Sequence, residues 1–176
     1  MEANKPHYSD TTITELMIPS YANFGGKIHG GVLLSLMDKV AYACGTKHAG
    51  NYCVTVSVDE VEFLEPVEVG DLVSLMARVN YVGNTSMVVG IKVTAENVKS
   101  KVVKHTNTCY FTMVAKGDDG KPTTVPPLLL QENIDVKRFA EAMLRRELKS
   151  YHKEEVAKAK KDFTKESALN LLKGER

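Results

Sequence analysis

No apolar run in this chain approaches the roughly 20 residues needed to span a bilayer, so no transmembrane segment is expected. The N-terminus, MEANKPHYSD, has no basic stretch leading into an apolar one. It therefore reads as lacking a secretory signal, and the protein as cytoplasmic. A charge excess is missing too. The formal net charge is +1, which leaves no global field to gather nucleic acid or an acidic membrane surface. Cysteine is scarce and unpatterned. Cys44, Cys53 and Cys109 are odd in number, with no CxxC and no Cys/His interval of a metal site, and read as reduced core or strand residues. Internal repeats and low-complexity tracts are also absent.

What is present suits one core. A chain of 176 residues holds one ordinary domain and is short for two. Hydrophobic residues make up 43% and charged residues 26%, an ordinary globular balance. Apolar residues recur at every second position through the middle of the chain, the period of half-buried strands. Val54, Val56 and Val58 begin the series. The phase slips before Val61 and Phe63, which predicts a bulge near residues 59–60. Residues 72–82, 86–98 and 102–114 predict three further long strands, and residues 12–18 a weaker one. Turns this short imply antiparallel pairing.

One convincing helix precedes residue 125. It runs from His29 or Gly30 to Lys47, with Leu33, Leu36, Met37, Val40, Ala41 and Cys44 at three- and four-residue spacing. A curved antiparallel sheet wrapped around that helix is the expected α+β architecture. After Pro126 and Pro127 the composition turns to Lys, Glu and Ala, predicting one or two amphipathic helices between residues 132 and 173. Their mixed charge argues for packing on protein rather than on membrane or nucleic acid.

The stretch NFGGKIHGGVLLSLMD, residues 23–38, carries the chemistry. Gly30 and Gly31 open the helix, where the first N–H groups lack internal partners and the macrodipole is positive. Without β-carbons such an end can take an anion or polarise a carbonyl. Asp38 follows Gly31 by two turns on roughly the same side, at the border of the apolar stripe. It is either functional or tied to Lys39 or Lys47. His29 is an acid, a base, or a capping residue. Asn23 either does chemistry or makes a turn hydrogen bond. No metal-ligand spacing surrounds any of them.

Asn23-x-x-Gly26-x-x-x-Gly30-Gly31, six residues and then Asp38 resembles the hotdog-fold acyl-CoA thioesterases. The likeness is nearest to the bacterial short-chain and brain-type cytosolic acyl-CoA hydrolases. Val54-Thr55-Val56, Phe63 to Val67 with Val69-Gly70-Asp71, and Arg78 with Gly83 to Ser86 continue it in order. The resemblance implies a hotdog domain over residues 8–126, with a helical extension over 127–176 outside it. It implies that Asp38 is catalytic, that Asn23 assists it from the other subunit of a dimer, and that the Gly31 N–H faces the thioester oxygen. Gly30, His29, Thr55, Arg78, Asn84, Thr85 and Ser86 then fall at substrate or coenzyme A contacts. Lys99, Lys101 and Lys104 are further candidates for its phosphates. His29 stands where the nearest relatives usually carry Phe, although other hotdog thioesterases have His-Gly-Gly.

The implied activity is hydrolysis of acyl-CoA, with Asp38 as general base or as nucleophile. No metal and no cofactor is needed, because coenzyme A enters as substrate and leaves as product. Pairing as double hotdogs in a homodimer, and a hexamer as a trimer of dimers, is implied too. An enoyl-CoA hydratase or dehydratase on the same fold is the alternative enzyme. It wants a nearby His, and none follows Asp38 until His48. A non-catalytic acyl-CoA-binding regulator would need a DNA-binding module, of which the tail gives no sign.

Overall fold

The structure, a computed structural model, describes residues 2–59, 61–161 and 163–173. The chain divides into two compact units, Met1–Phe139 and Ala140–Arg176. In the first, β1 (Thr11–Leu16), β3 (Leu72–Val82), β4 (Ser86–Asn97), β5 (Val102–Lys116) and β2 (Tyr52–Val58) form one antiparallel sheet, in that spatial order. Helix α1 (Gly30–Ala49) packs across it. This is the architecture expected from the alternation and the single long helix.

Period-2 burial builds the sheet's inner face. Val73, Leu75, Ala77 and Val79 of β3, Met87, Val89, Ile91, Val93 and Ala95 of β4, and Cys109, Phe111, Met113 and Ala115 of β5 are buried. They share one core with Leu33, Leu36, Met37, Val40, Ala41 and Cys44 of α1. All three cysteines are free and buried. The helix ends at Gly50, whose φ of 66° suits a residue without a β-carbon and whose N–H donates to Thr46 O at 2.9 Å.

The first strand after α1 differs from expectation. Its bulge falls at Val56, between Thr55 opposite Met113 and Ser57 opposite Thr112. The strand stops at Val58, and residues 61–66 form no strand, although the Leu64 N–H donates to Thr106 O of β5 at 2.9 Å. Of the expected bulge position, Glu60 lies outside the described residues. The reason is that β2 is an edge strand: Val56 and Val58 are exposed, so alternation there does not report burial in this chain.

The C-terminal helices are α2 (Asn133–Lys161) and α3 (Lys165–Lys173). In the second unit Met143, Leu144 and Leu148 are exposed. Among the described residues no helix is long and apolar enough to cross a membrane.

Candidate active site

The segment before α1 is folded by its own short-range bonds. Asn23 Oδ1 accepts from the N–H groups of Gly25 at 2.9 Å and Lys27 at 3.2 Å, an Asx-type turn. Gly26, at φ 75°, lets the chain reverse. Phe24 protrudes from this turn, fully exposed. Two bonds then fix the helix entrance: Ile28 N–H to Val67 O and His29 N–H to Tyr21 O, both 2.9 Å. His29 is the N-cap, and its Nδ1 accepts the Gly31 N–H at 3.0 Å. The Phe63 ring covers Gly30, where an added β-carbon would stand 3.4 Å from it.

Asp38 lies two turns further on, at the exposed edge of the helix. Its partner is neither Lys39 nor Lys47, whose Nζ donates to Asp10 O instead. Thr55 Oγ1 donates to Asp38 Oδ1 at 2.6 Å, the short distance of a hydroxyl on a charged carboxylate. Thr55 is the residue just before the bulge in β2, so the bulge sets where this hydroxyl sits beside the helix. An open groove of about 320 Å³ runs here between α1, through Asp38, Lys39 and Tyr42, and β2, through residues 52–55. The Tyr42 and Tyr52 rings flank it at 6.0 Å and 60°.

Burial pushes the Cys44 and Cys109 thiols up to about 12 and also raises Cys53, so none of them is a thiolate at neutral pH. Among the described residues no three His, Cys, Asp or Glu side chains gather as a metal site.

The other candidates lie elsewhere in the single chain. Asn84, Thr85 and Ser86 form the β3–β4 turn, closed by Gly83 N–H to Ser86 O at 2.7 Å. Ser86 and Val54 both pair with Val114, so the turn is two strands from the groove, about 10 Å. Arg78 alternates with the buried Ala77 and Val79, so it points to the face of the sheet away from α1. Its Nε donates to Asp10 Oδ1 at 2.9 Å, and that bond raises its pKa. Lys99 and Lys101 lie at the β4–β5 turn and Lys104 near the start of β5.

Sequence reasoning did not anticipate the Thr55–Asp38 bond or the Tyr42–Tyr52 pair. Tyr42 follows Asp38 by one helical turn and was legible from that spacing. Thr55 was named among the substrate contacts, but its approach to Asp38 was not legible, because a bulge decides its position.

A model of the thioesterase superfamily matches residues 25–101. A solved hexameric acyl-CoA thioesterase superposes with a TM-score of 0.83 at 32% identity, covering 86% of this chain and 97% of that one. The chain belongs to the hotdog-fold acyl-CoA thioesterases. Protein VdlD of Helicobacter pylori is 47% identical to it over 135 residues, 77% of each chain. The acyl-CoA hydrolase of Staphylococcus aureus, solved with butyryl coenzyme A and coenzyme A, matches with a TM-score of 0.81 at 28% identity. It covers 90% of this chain and 97% of its own. In that thioesterase an asparagine, an aspartate and a threonine have each been replaced by alanine. Those positions are fifteen and then seventeen residues apart, as are Asn23, Asp38 and Thr55.

Proposed function

We propose that this thioesterase hydrolyses acyl-CoA with Asp38 at the reacting carbon, on the strength of one observation: the Thr55–Asp38 bond at the mouth of the α1–β2 groove. The hydroxyl holds the carboxylate in one orientation and occupies one lone pair, leaving the others free for chemistry. As a general base, Asp38 takes a proton from water while the water oxygen bonds to the thioester carbon. The C–S bond then breaks, and the proton passes to the departing thiolate. As a nucleophile, Asp38 would bond to the thioester carbon as the C–S bond breaks and coenzyme A leaves as thiolate. Water would then open the anhydride, freeing the acid and Asp38, with the water's proton neutralising the thiolate. Neither route calls for a cofactor, since coenzyme A arrives in the substrate and leaves as product.

The carbonyl oxygen, which gains charge in either route, is suited to the Gly30–Gly31 end of α1. A preorganised amide there is typically worth about 3 kcal/mol at the transition state. Asn23 would assist through its side-chain amide, its oxygen being committed to the turn. These groups are best assigned to a second subunit. The open edge of β2, with Val56 and Val58 exposed, and the protruding Phe24 support pairing of two copies there. Such a homodimer would bring one copy's helix entrance over the other's groove. A hexamer of three such dimers follows the hexameric state of the matched thioesterase. Asn84, Thr85, Ser86 and Arg78, offered by a neighbouring copy or after Arg78 leaves Asp10, are candidate contacts for coenzyme A. We place the protein in the cytoplasm.

The hydratase alternative is disfavoured by His48. It is buried at the far end of α1, bonded to Pro126 O at 2.9 Å, and out of reach of Asp38. Thiol release from a panel running from acetyl-CoA to palmitoyl-CoA tests the reading. Hydrolysis of at least one chain length is expected. No thiol release across the panel would refute it.

A further inference from the structure

The donor that this reading assigns to the thioester oxygen is already engaged. The Gly31 N–H is bonded to His29 Nδ1 at 3.0 Å. A β-carbon on Gly31 would stand 3.1 Å from that nitrogen and 3.4 Å from the ring carbon next to it, so the imidazole lies directly over the amide. One N–H makes one well-aligned hydrogen bond, and strength falls steeply as the angle opens to share it. The ring and an incoming carbonyl therefore compete for a single donor.

Resting on the hydrolase reading above, we propose that His29 keeps the helix-end amide in reserve: its imidazole caps Gly31 in the empty site and rotates away when the thioester carbonyl arrives.

The backbone around His29 confines the movement to the side chain. The His29 N–H is held by Tyr21 O and its own carbonyl accepts the Val32 N–H, both at 2.9 Å. Ile28 before it is held by Val67 O at 2.9 Å and is itself buried. His29 is exposed in the single chain, where its ring can take another staggered rotamer, a change of the fast kind made by surface side chains. Because Nδ1 accepts, the neutral ring carries its proton on Nε2.

His29 is thus a positioning residue with a measurable signature. Breaking a helix cap of this kind shifts an equilibrium roughly fivefold. The amide is used by the bound carbonyl and by the transition state alike, so the competition weighs on both. Removing the competing acceptor should tighten binding and lower KM while leaving kcat nearly unchanged. The same removal uncaps α1 and lowers its stability. Affinity and stability should therefore move in opposite directions.

The test uses the intact oligomer as wild type, His29→Phe, His29→Ala and His29→Asn. The probe is an acyl-CoA ketone in which methylene replaces the sulfur, so the carbonyl remains and cannot be hydrolysed. Calorimetric titration should show roughly fivefold tighter ketone binding by the Phe and Ala variants, which have no acceptor. His29→Asn, whose side-chain oxygen can cap, should bind like wild type. Coenzyme A, which has no acyl carbonyl, should bind all four alike. In thiol release by the Phe and Ala variants, KM should fall by a similar factor while kcat stays within about twofold of wild type. The thermal midpoint should drop for Phe and Ala only.

Equal or weaker ketone binding by Phe and Ala overturns the proposal. So does a fall in kcat beyond about tenfold with KM unchanged, which would mean that the imidazole acts in the transition state itself. Absence of wild-type thiol release refutes the hydrolase reading, and the ketone ordering then still decides the role of His29. No ketone binding by any of the four overturns both.

Discussion

Thr55→Val removes one hydroxyl and keeps the branched shape of the side chain. Thr55 Oγ1 lies 2.6 Å from Asp38 Oδ1 and 3.3 Å from Met113 Sδ. The carboxylate is the stronger acceptor, so the proton goes to Asp38. Hydrogen bonds to charged groups contribute about 1.5 to 3 kcal/mol. Both side chains are exposed in the single chain, which argues for the lower end of that range. About 1.5 kcal/mol corresponds to roughly a tenfold loss in kcat. Steady-state thiol release is the assay, with KM expected to change little, because the bond orients the acid rather than gripping coenzyme A. Thr55→Ser, which restores the donor, should recover most of the activity. A Val variant within twofold of wild type, or a Ser variant as impaired as Val, would refute the assignment of Thr55 to Asp38.

Other outcomes follow from the same geometry. If the site is shared, mixing Asn23→Ala subunits with Asp38→Ala subunits should restore activity that neither variant has alone. Verified mixed dimers without recovery would rule out sharing. Stability should also depend on pH through His48. Its Nε2 donates to Pro126 O and its buried Nδ1 has no partner among the described residues; burial lowers its pKa below the ordinary 6.5, outweighing the Pro126 bond. The unfolded chain then binds more protons than the folded one between the lowered value and 6.5, so stability rises with pH across that window and is fully present above it. The thermal midpoint should fall as pH drops through the window, and His48→Gln should flatten the slope. An unchanged slope in that variant would shift the effect to another group.

How much of this was legible in the sequence depended on burial. Strands β3, β4 and β5 appeared within about two residues of their ends, because one face of each is buried in the core and alternation reports that directly. Helix α1 was legible for the same reason and from Gly30, Gly31 and Gly50. Edge strand β2 was legible as a strand but not in its extent, since exposed Val56 and Val58 mimic a buried face and the alternation ran on past its end at Val58. Its bulge, and with it the approach of Thr55 to Asp38, depends on pairing with β5, more than 50 residues away in sequence. Asp38 looked anomalous within the greasy run of α1. It lies at the exposed edge of the helix, so it incurs no burial penalty and needs only a hydroxyl partner. The turn hydrogen bonds of Asn23 and the capping role of His29 were among the sequence alternatives. Only the folded geometry reveals that His29 occupies the Gly31 amide.

The most direct measurement is the turnover of Asp38→Asn, which keeps the shape of the side chain and an oxygen for Thr55 while removing the charge. With the oligomer intact by sedimentation, thiol release from the preferred acyl-CoA should fall at least about a hundredfold, the typical effect of losing a general base. Hydrolysis within a few-fold of wild type would contradict the account.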